Sequence, residues 1–374
     1  MGDQPPTHRI ETLMTRVLVD GRALYDGNRH RGVGTYLWHL LEELGRIESI
    51  DPMALVIQGT KLPAGVDALP VQRSMPARLA GLEHAIRLPS DIVRFAPDVF
   101  HSPSLEVPRR VGRPWVQTLH DVIPMVDPDP MFAGDRRRWR RRARRLRNAT
   151  RVIAVSEYSA DEGSRVLGLD RARMRVAPHG VDPHFHPSAE RPQPHTPYLL
   201  YVGVYGRHKG YPEALAAVST LAKNGYPHRL RVVGRLDTWI GLEIDRELTL
   251  CDHPERVDLL GSVGEAELLE LYRGATALIV TSRHEGFGLP ALEAMATGTP
   301  VVAFRNSSTA EVVEGGGELV EDGDIVAVAN AVAEIIDDPA RRTALSQSGM
   351  RRAAGFTWRR CAEVHAQAFV EAAS

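Results

Sequence analysis

The chain has 374 residues, of which 43% are hydrophobic and 25% are charged, with a formal net charge of −1. Chains longer than about 250–300 residues usually divide into domains, so we expect two. This composition is typical of a globular protein and excludes a disordered or fibrous one. The near-zero net charge gives no bulk electrostatic reason to bind nucleic acid.

The cysteine content and the lack of long apolar runs indicate a cytoplasmic protein. The sequence contains Cys251 and Cys361 alone, too few for a disulfide framework or a usual zinc site, so we expect two reduced thiols. No apolar run reaches the ~18 residues of a membrane span. Residues 1–15 are polar and lack a signal-peptide core, and we predict that they form an N-terminal extension.

Short apolar runs alternate with helical periodicity along the chain. Residues 16–20 predict a buried strand, residues 29–35 a glycine-bearing loop, and residues 36–44 a helix with apolar side chains every three or four positions. Further strands are predicted at 54–57, 98–101, 115–120, 151–156, 173–178, 198–202, 230–233, 257–260, 277–280 and 300–303. Strands alternating with helices predict parallel sheets covered by helices on both faces.

Five prolines between residues 183 and 197 predict a linker between two such domains. We predict an N-terminal Rossmann-like domain over 16–190 and a C-terminal domain over 191–356. A C-terminal helix over 357–374 is expected to pack back on the N-terminal domain. Ligands of open α/β sheets bind beyond the carboxyl ends of the strands, so the cleft between the domains is the expected site.

The segment 281–300 carries the sharpest chemical signal, and it lies between two predicted strands. Pro290 suits a first helical turn and Gly298 suits a helix stop, so we expect a helix from about Leu289. The backbone N–H groups of Phe287, Gly288 and Leu289 would then lie at the positive end of the helix. That arrangement suits a diphosphate.

Two glutamates flank this expected diphosphate site. Glu285 lies in the preceding loop, and Glu293 is predicted in the first turn of the helix, where both could accept hydrogen bonds from sugar hydroxyls. The alternative is that Glu285 is a solvated loop charge and that Glu293 complements the helix dipole. Considered singly, each glutamate favours that alternative. The complete segment 281–300 is a more specific signal of a diphosphate site than either glutamate.

The string EGFGLPALEAMATGTPV, with seven residues between its two glutamates, resembles the donor motif of the retaining glycosyltransferase family 4, which has the GT-B fold. The resemblance covers nearly the whole chain and is strongest to a mannosyltransferase-like subset. The other matching strings are RGVGTYLWHLLEEL, VFHSP, TLHDVIP, VIAVSEYSADEGSRVLGL, VAPHGVD, YVGVYGRHKGYPEAL and LGSVGEAELLELYRGATALIVTS. The resemblance implies two Rossmann-like doubly wound domains that face each other across a cleft. It places the acceptor side in 16–190 and the nucleotide-sugar donor domain in 191–356.

The resemblance also implies residue roles. Glu285 would contact the donor sugar near its third hydroxyl, Glu293 would hold the ribose hydroxyls, and Lys209 would stabilise negative charge on the leaving diphosphate. Taken alone, Lys209 equally suits a surface lysine at a helix start. The donor-binding positions that the resemblance implies are Gly32, Gly34, Arg207, Lys209, Arg235, Val263, Glu285, Gly286, Phe287, Gly288, Leu289 and Glu293.

One position departs from the family pattern. Many members carry an arginine five residues before the lysine, where this chain has Val204. Arg207 and Arg235 are the two candidates to bind the diphosphate instead, and the sequence leaves both open.

The N-terminal half supplies the other implied site residues. Gly32 and Gly34 would let their loop approach the diphosphate closely, because glycine has no side chain. His120 ends a predicted strand and would act near the reacting centre, with Asp121 on the acceptor side. The alternative for His120 is a buried histidine bonded to backbone.

Residues 135–147 hold nine arginines and one aspartate, a local charge of +8. Trp139, Ala143 and Leu146 share one face, which predicts an amphipathic basic helix. One interpretation is a solvated face above a packed stripe. The other is docking to an anionic membrane surface or to a phosphate-bearing acceptor. Nucleic acid is the third and weakest interpretation, because no aromatic platform accompanies the run.

The resemblance implies retaining, metal-independent hexosyl transfer from a nucleotide diphosphate sugar, without a cofactor. GDP-mannose is the favoured donor and a UDP-hexose the next. The acceptor would be a lipid-linked or growing glycan, and the enzyme would be cytoplasmic with peripheral contact at the inner face of the membrane. No convincing carboxylate nucleophile is evident in the first domain, which favours front-face attack. The alternatives are a GT-B phosphorylase or epimerase, and a non-catalytic GT-B binding or assembly protein.

Overall fold

The computed structural model describes residues 14–25, 32–71, 80–104, 111–129, 132–190, 192–203, 207–235 and 238–374. Residues 1–13 of the predicted extension and Val204 lie outside these ranges. No helix in the described part of the chain is both long and apolar enough to cross a membrane.

The first sheet has seven strands. They are β1 (Thr15–Asp20), β2 (Ile50–Ile57), β3 (Asp67–Val71), β4 (Val99–Ser102), β5 (Trp115–Leu119), β6 (Arg151–Ala154) and β7 (Met174–Val176). Their spatial order is β3-β2-β1-β4-β5-β6-β7, and β1 pairs in parallel with both β2 and β4. The order reverses direction at β1, as in a doubly wound sheet.

The second sheet has six strands and the same winding. They are β8 (Tyr198–Val202), β9 (Arg229–Val233), β10 (Val257–Gly261), β11 (Leu278–Val280), β12 (Val301–Phe304) and β13 (Glu318–Val320). Their order is β10-β9-β8-β11-β12-β13, and each neighbouring pair is parallel. The two parallel-sheet α/β folds confirm the predicted fold class.

Helices connect the strands of both sheets. They are α1 (Gly32–Leu44), α2 (Ala80–Phe95), α3 (Ile123–Val126), α4 (Ala133–Leu146), α5 (Glu157–Leu167), α6 (Tyr211–Lys223), α7 (Thr238–Thr249), α8 (Glu265–Gly274), α9 (Leu289–Ala296), α10 (Ser307–Val313), α11 (Ile325–Asp337), α12 (Pro339–Ala353) and α13 (Trp358–Ala373). The loop predicted over 29–35 is wrong at its end, because α1 already begins at Gly32. Neither Gly32 nor Gly34 has a positive φ, so both fit the first helical turn.

The chain divides into two compact units. The first comprises residues 1–118, 148–153 and 362–374, and the second comprises residues 119–147 and 154–361. The predicted boundaries after residues 190 and 356 fall inside the second unit, so they stay predictions.

A buried polar cluster joins four elements of the first unit, α1, β4, β5 and α13. The hydroxyl of Tyr36 in α1 lies 2.8 Å from Thr118 Oγ1 and 2.8 Å from Nε2 of His365 in α13. His101 Nε2 lies 2.9 Å from the same Thr118 hydroxyl. All four side chains are fully buried, and burial of such groups is tolerated because they bond one another.

The second sheet is apolar on both faces. Leu199 and Tyr201 of β8 belong to one hydrophobic cluster, whereas Tyr198 and Leu200 belong to another. Alternate residues of a strand point to opposite faces. The clusters therefore cover both sides of the sheet, which explains why β8 is a continuous apolar run rather than an alternating one.

The arginine-rich segment forms α4, as predicted, and belongs to the second unit. Trp139, Ala143 and Leu146 are 7%, 6% and 1% exposed, so the apolar stripe is packed. Arg136 at its start donates hydrogen bonds to the backbone oxygens of Asp127 and Asp129.

Candidate active site

The segment after β11 forms the loop and helix expected of a phosphate site. Gly288 precedes α9 with a φ of 100°, a left-handed conformation that favours glycine. The helix begins at Leu289, has Pro290 in its first turn and ends before Gly298, as predicted. The placement of Glu293 in the first turn was wrong, because it is the fifth helical residue and the first turn holds no acidic side chain.

Glu285 of this loop forms an ion pair with Lys209, which lies shortly before α6. Lys209 Nζ lies 2.7 Å from Glu285 Oε2, and the Ser282 hydroxyl donates a 2.8 Å hydrogen bond to Glu285 Oε1. The side chains of Lys209 and Glu285 are 21% and 13% exposed. Both carboxylate oxygens are thus oriented, and the pair retains limited access to solvent.

Gly210 brings the lysine to the loop between β11 and α9, residues 281–288, which we call the donor loop. Arg207–Lys209 form a short 3-10 turn before α6, and Gly210 follows with a φ of 66°. A Cβ at Gly210 would lie 1.8 Å from the backbone oxygen of Thr281, while the Thr281 hydroxyl donates a 2.6 Å hydrogen bond to the Gly210 oxygen. The close approach therefore requires glycine at this position.

His208 beside the lysine is held neutral. Burial, followed by the nearby charge of Lys209, lowers the pKa of His208 to about 4. The Phe132 ring lies 5.5 Å from the His208 ring between centroids. His208 thus adds no positive charge to the site at neutral pH.

The backbone of Glu285 is fixed by the start of α10. The Glu285 N–H donates a 3.2 Å hydrogen bond to the Ser307 hydroxyl, and the Ser308 hydroxyl donates a 2.9 Å hydrogen bond to the Glu285 oxygen. Sequence reasoning missed both serines. Their sequence pattern is only that of an ordinary helix start after β12.

His120 and Asp121 lie against the same loop. A Cβ at Gly286 would lie 2.2 Å from the His120 oxygen, so the backbones touch. Asp121 accepts a 2.9 Å hydrogen bond from the Ile123 N–H. Burial raises the pKa of Asp121 above its ordinary value. The Ile123 hydrogen bond and the charge of Lys209 oppose this rise, and the charge of Glu285 adds to it. The structure therefore brings together five of the predicted site residues within the second unit, His120, Asp121, Lys209, Glu285 and Gly286.

A cluster of tilted and edge-to-face aromatic rings surrounds His179. The His179 ring lies 5.7 Å from the His120 ring, 4.9 Å from the Phe287 ring and 5.4 Å from the Trp358 ring between centroids. His179 is 4% exposed. Sequence reasoning singled out neither His179 nor Trp358, although His179 lies in the quoted string VAPHGVD.

Glu293 occupies a desolvated position. The Tyr272 hydroxyl donates a 2.8 Å hydrogen bond to Glu293 Oε2. Burial raises the pKa of Glu293 to about 7, the Tyr272 bond opposes the rise, and Asp182 and Glu265 add to it. The carboxyl therefore titrates near neutral pH. Tyr272 is a further residue that the sequence did not reveal.

Known families match both parts of the chain. The Glycosyltransferase Family 4 model matches residues 30–185, and the Glycosyl transferases group 1 model matches residues 185–352. The D-inositol 3-phosphate glycosyltransferase of Pseudarthrobacter chlorophenolicus is 31% identical over 296 residues, which cover 73% of this chain and 70% of that protein. The chain belongs to glycosyltransferase family 4. This confirms the resemblance that the donor motif indicated.

This glycosyltransferase is also similar to a mannosyltransferase and to a solved structure of the same fold. The O-antigen chain mannosyltransferase B of Escherichia coli is 27% identical over 279 residues, covering 70% of this chain and 71% of that protein. The crystal structure of HepE from Anabaena in complex with UDP-glucose has a TM-score of 0.69 and 17% identity, covering 95% of this chain and 98% of that chain. The latter similarity supports the GT-B fold.

The structure describes the remaining predicted site residues of the glycosyltransferase to different extents. Arg235 and Val263 are half-buried in the second unit, after β9 and β10 respectively. The structure describes Arg207 by its backbone within the 3-10 turn. Gly32 and Gly34 belong to the first unit. Both arginine candidates for the diphosphate thus stay predictions.

Within the described ranges, no group of three or more His, Cys, Asp or Glu side chains could hold a metal ion. The metal-independent reaction stays a prediction, as does the absence of a cofactor.

Proposed function

We propose that this glycosyltransferase moves a hexose from a nucleotide diphosphate sugar to a hydroxyl acceptor, with retention of anomeric configuration and without a metal ion. The observation that carries the proposal is the ion pair between Lys209 and Glu285, 2.7 Å long, beside the start of α9 at Leu289. A cation, a carboxylate and free helix N–H groups are together suited to a sugar diphosphate.

Each part of the donor has a partner in this proposal. The N–H groups of Phe287, Gly288 and Leu289 bind the diphosphate at the positive end of α9. Glu293 accepts hydrogen bonds from the ribose hydroxyls, and Glu285 accepts one from the sugar. The UDP-glucose in the HepE complex supports a nucleotide-sugar donor. The mannosyltransferase relative supports mannose, so we favour GDP-mannose and rank UDP-hexoses next.

The reaction depends on charge and position in this proposal. When the bond from the sugar to the diphosphate breaks, negative charge develops on the leaving oxygen, and Lys209 stabilises it. The acceptor hydroxyl attacks from the face that the diphosphate leaves, and its proton passes to the leaving phosphate oxygen. His120 and Asp121 lie against the Glu285 loop, where they orient the donor sugar and the acceptor.

We further propose a lipid-linked or growing glycan as acceptor, in a cytoplasmic enzyme that touches the inner face of the membrane. Arg137, Arg140, Arg141 and Arg144 are exposed on the face of α4 opposite its packed stripe. None of the four bonds to another side chain in the described part of the chain. Four free cations on one helical face suit a surface of anionic lipid.

A thermal-shift screen followed by a turnover assay tests the proposed donor. Selective stabilisation by GDP or UDP over ADP and inorganic phosphate is expected, because a ligand that binds the folded state adds about 2.7 kcal/mol at 100 times its Kd. Slow hydrolysis of the matching nucleotide sugar should follow. Stabilisation by none of the nucleotides would overturn the proposal.

Other outcomes of the same assays would identify the alternatives. Release of a sugar phosphate with inorganic phosphate as acceptor would indicate a phosphorylase. Conversion of UDP-N-acetylglucosamine without any acceptor would indicate an epimerase. Tight nucleotide binding with neither hydrolysis nor transfer would indicate a binding or assembly protein.

A further inference from the structure

The first turn of α5 is bonded to the loop that carries Glu285. The Ser156 hydroxyl donates a 2.9 Å hydrogen bond to the Gly286 oxygen. The Ser159 hydroxyl lies 2.9 Å from the His120 oxygen and 3.1 Å from the Gly286 oxygen, so its one proton is shared between them. Ser156 and Ser159 are 2% and 1% exposed. Their hydroxyls therefore join two strand-end segments of the site.

The same turn of α5 is capped by a carboxylate from α10. Glu311 accepts hydrogen bonds from the N–H groups of Glu157 at 2.9 Å and of Tyr158 at 2.5 Å. The first N–H groups of a helix lack partners within it. Here the N–H groups of Glu157 and Tyr158 donate to the carboxylate of Glu311, which lies 154 positions after Glu157. This contact ties the start of α5 to α10.

The dipeptide Glu285-Gly286 thus lies between the starts of two helices. Ser307 and Ser308 of α10 bond both backbone groups of Glu285, while Ser156, which precedes α5, and Ser159 within it bond the Gly286 oxygen. Glu311 then joins the two helices directly. We call Ser156, Ser159 and Glu311 the loop clamp.

We propose that Ser159 and Glu311 of the loop clamp are positioning residues for hexosyl transfer. They hold the Gly286 backbone against His120 and so set where the Glu285 carboxylate stands. This inference rests on the proposed function. A displacement of about 1 Å in a reacting geometry can cost about 100-fold in rate, although neither side chain needs to touch the substrate. Ser156 contributes to the clamp but also caps α5 through the Ser159 N–H, so its replacement would mix two effects.

Two variants with matched controls test the clamp. Ser159→Ala removes the shared hydroxyl, and its control is Ser348→Ala, which removes a helical hydroxyl that bonds the Leu345 oxygen at 3.0 Å. Glu311→Gln removes the charged cap of α5. Its control is Asp324→Asn at the start of α11, where Asp324 accepts a 2.8 Å hydrogen bond from the Ala327 N–H.

The measured quantities separate positioning from stability. For Ser159→Ala and Glu311→Gln we expect kcat to fall about tenfold or more, with the donor KM within about threefold of the wild type. Their Tm should change no more than that of the controls, whose kcat should match the wild type. A lower Tm with wild-type kcat in the folded protein would mean that the clamp is merely structural.

Amide hydrogen exchange keeps this test distinct from the proposed function. Residues 284–288 should exchange faster in both clamp variants than in their controls, because the loop opens locally once its bonds are lost. If the wild type turns over no nucleotide sugar, the proposed function fails, and exchange alone decides whether the clamp holds the loop. Unchanged exchange in both variants would overturn the clamp, whatever the activity.

Discussion

Lys209 Nζ lies 2.7 Å from Glu285 Oε2 although 76 residues separate the two in the chain. The lysine charge is therefore already compensated in the free enzyme. In the proposed binding mode, a diphosphate at the start of α9 shares Lys209 with this carboxylate. The two members of the pair should thus affect nucleotide binding in opposite directions.

Replacing each member of this pair tests that relationship. Glu285→Gln should lower the transfer rate about 100-fold or more, because the sugar loses an oriented carboxylate. It should also tighten GDP or UDP binding, because Lys209 is no longer neutralised. Lys209→Met should weaken nucleotide binding at least about tenfold, since it leaves Glu285 as an uncompensated charge. Calorimetric titration and initial rates measure both effects, and a parallel loss of affinity in the two variants would contradict the shared-lysine account.

The raised pKa of Glu293 predicts how stability depends on pH. Its folded pKa, about 7, exceeds the ordinary value of a glutamate, so the folded protein binds more protons between about pH 4.5 and 7. Protonated Glu293 therefore stabilises the folded state at low pH. This contribution, at most about 3 kcal/mol, is lost as the pH rises through 7. The Tm of Glu293→Gln, measured relative to that of the wild type, should therefore be higher at pH 8 than at pH 5. An equal Tm difference at both pH values would refute this.

Nucleotide binding provides a second pH-dependent prediction for Glu293. If ribose hydroxyls donate to its carboxylate, binding favours the charged form, and affinity for GDP or UDP should rise from pH 6 to pH 8. The phosphate of the nucleotide also titrates near pH 6, but this affects binding to the wild type and to Glu293→Gln alike. The difference between the wild type and Glu293→Gln therefore isolates the carboxyl. Identical pH profiles would remove Glu293 from the nucleotide site.

The parts of the fold that the sequence predicted are those with a local signal. The apolar run of β8 and the Pro290 and Gly298 signals around α9 are contained in short windows. Strand β3 was missed because DALPV holds a proline and is largely exposed, so it lacks an apolar pattern. Helix α2 was missed because Pro89 lies inside it, and an internal proline normally indicates a helix end.

The site was predictable only where one segment carried its chemistry. Glu285 and Glu293 belong to one string, and the resemblance supplied Lys209. Tyr272 and His179 meet this string only after folding, and no period in the sequence encodes such contacts. Glu293 was placed in the first turn although the helix start at Leu289 was predicted correctly. Counted from Leu289 it is the fifth helical residue, which lies beyond the first turn.

Gly286 offers a test of the contact between the donor loop and His120. A Cβ there would lie 2.2 Å from the His120 oxygen, which is backbone and cannot rotate away. Gly286→Ala should therefore lower the free energy of unfolding by about 1–3 kcal/mol and reduce transfer at least about tenfold. The matched control is Gly264→Ala at the start of α8, where a Cβ meets no atom within 4 Å. Equal stability of the two variants, measured by thermal unfolding, would argue against the described loop packing.

The exposed arginines of α4 carry the proposed membrane contact, and replacing them tests it. Replacing Arg137, Arg140, Arg141 and Arg144 with glutamine removes four charges from one helical face and leaves the packed stripe intact. Binding to vesicles that contain anionic lipid should fall at least about tenfold, since each cation near such a surface contributes about 1 kcal/mol.

A charge-matched variant decides whether this loss is specific to α4. Arg113, Arg246, Arg351 and Arg360 are also exposed, and their replacement by glutamine lowers the net charge equally. This control should retain most of the vesicle binding, and both variants should keep the wild-type rate on a soluble acceptor because none of these arginines lies in the donor loop. Equal loss in the two variants would mean that net charge, rather than the face of α4, attracts the enzyme. If the wild type does not bind anionic vesicles at low salt, this face of α4 is ordinary solvated surface. That outcome would remove the membrane contact from the proposed function.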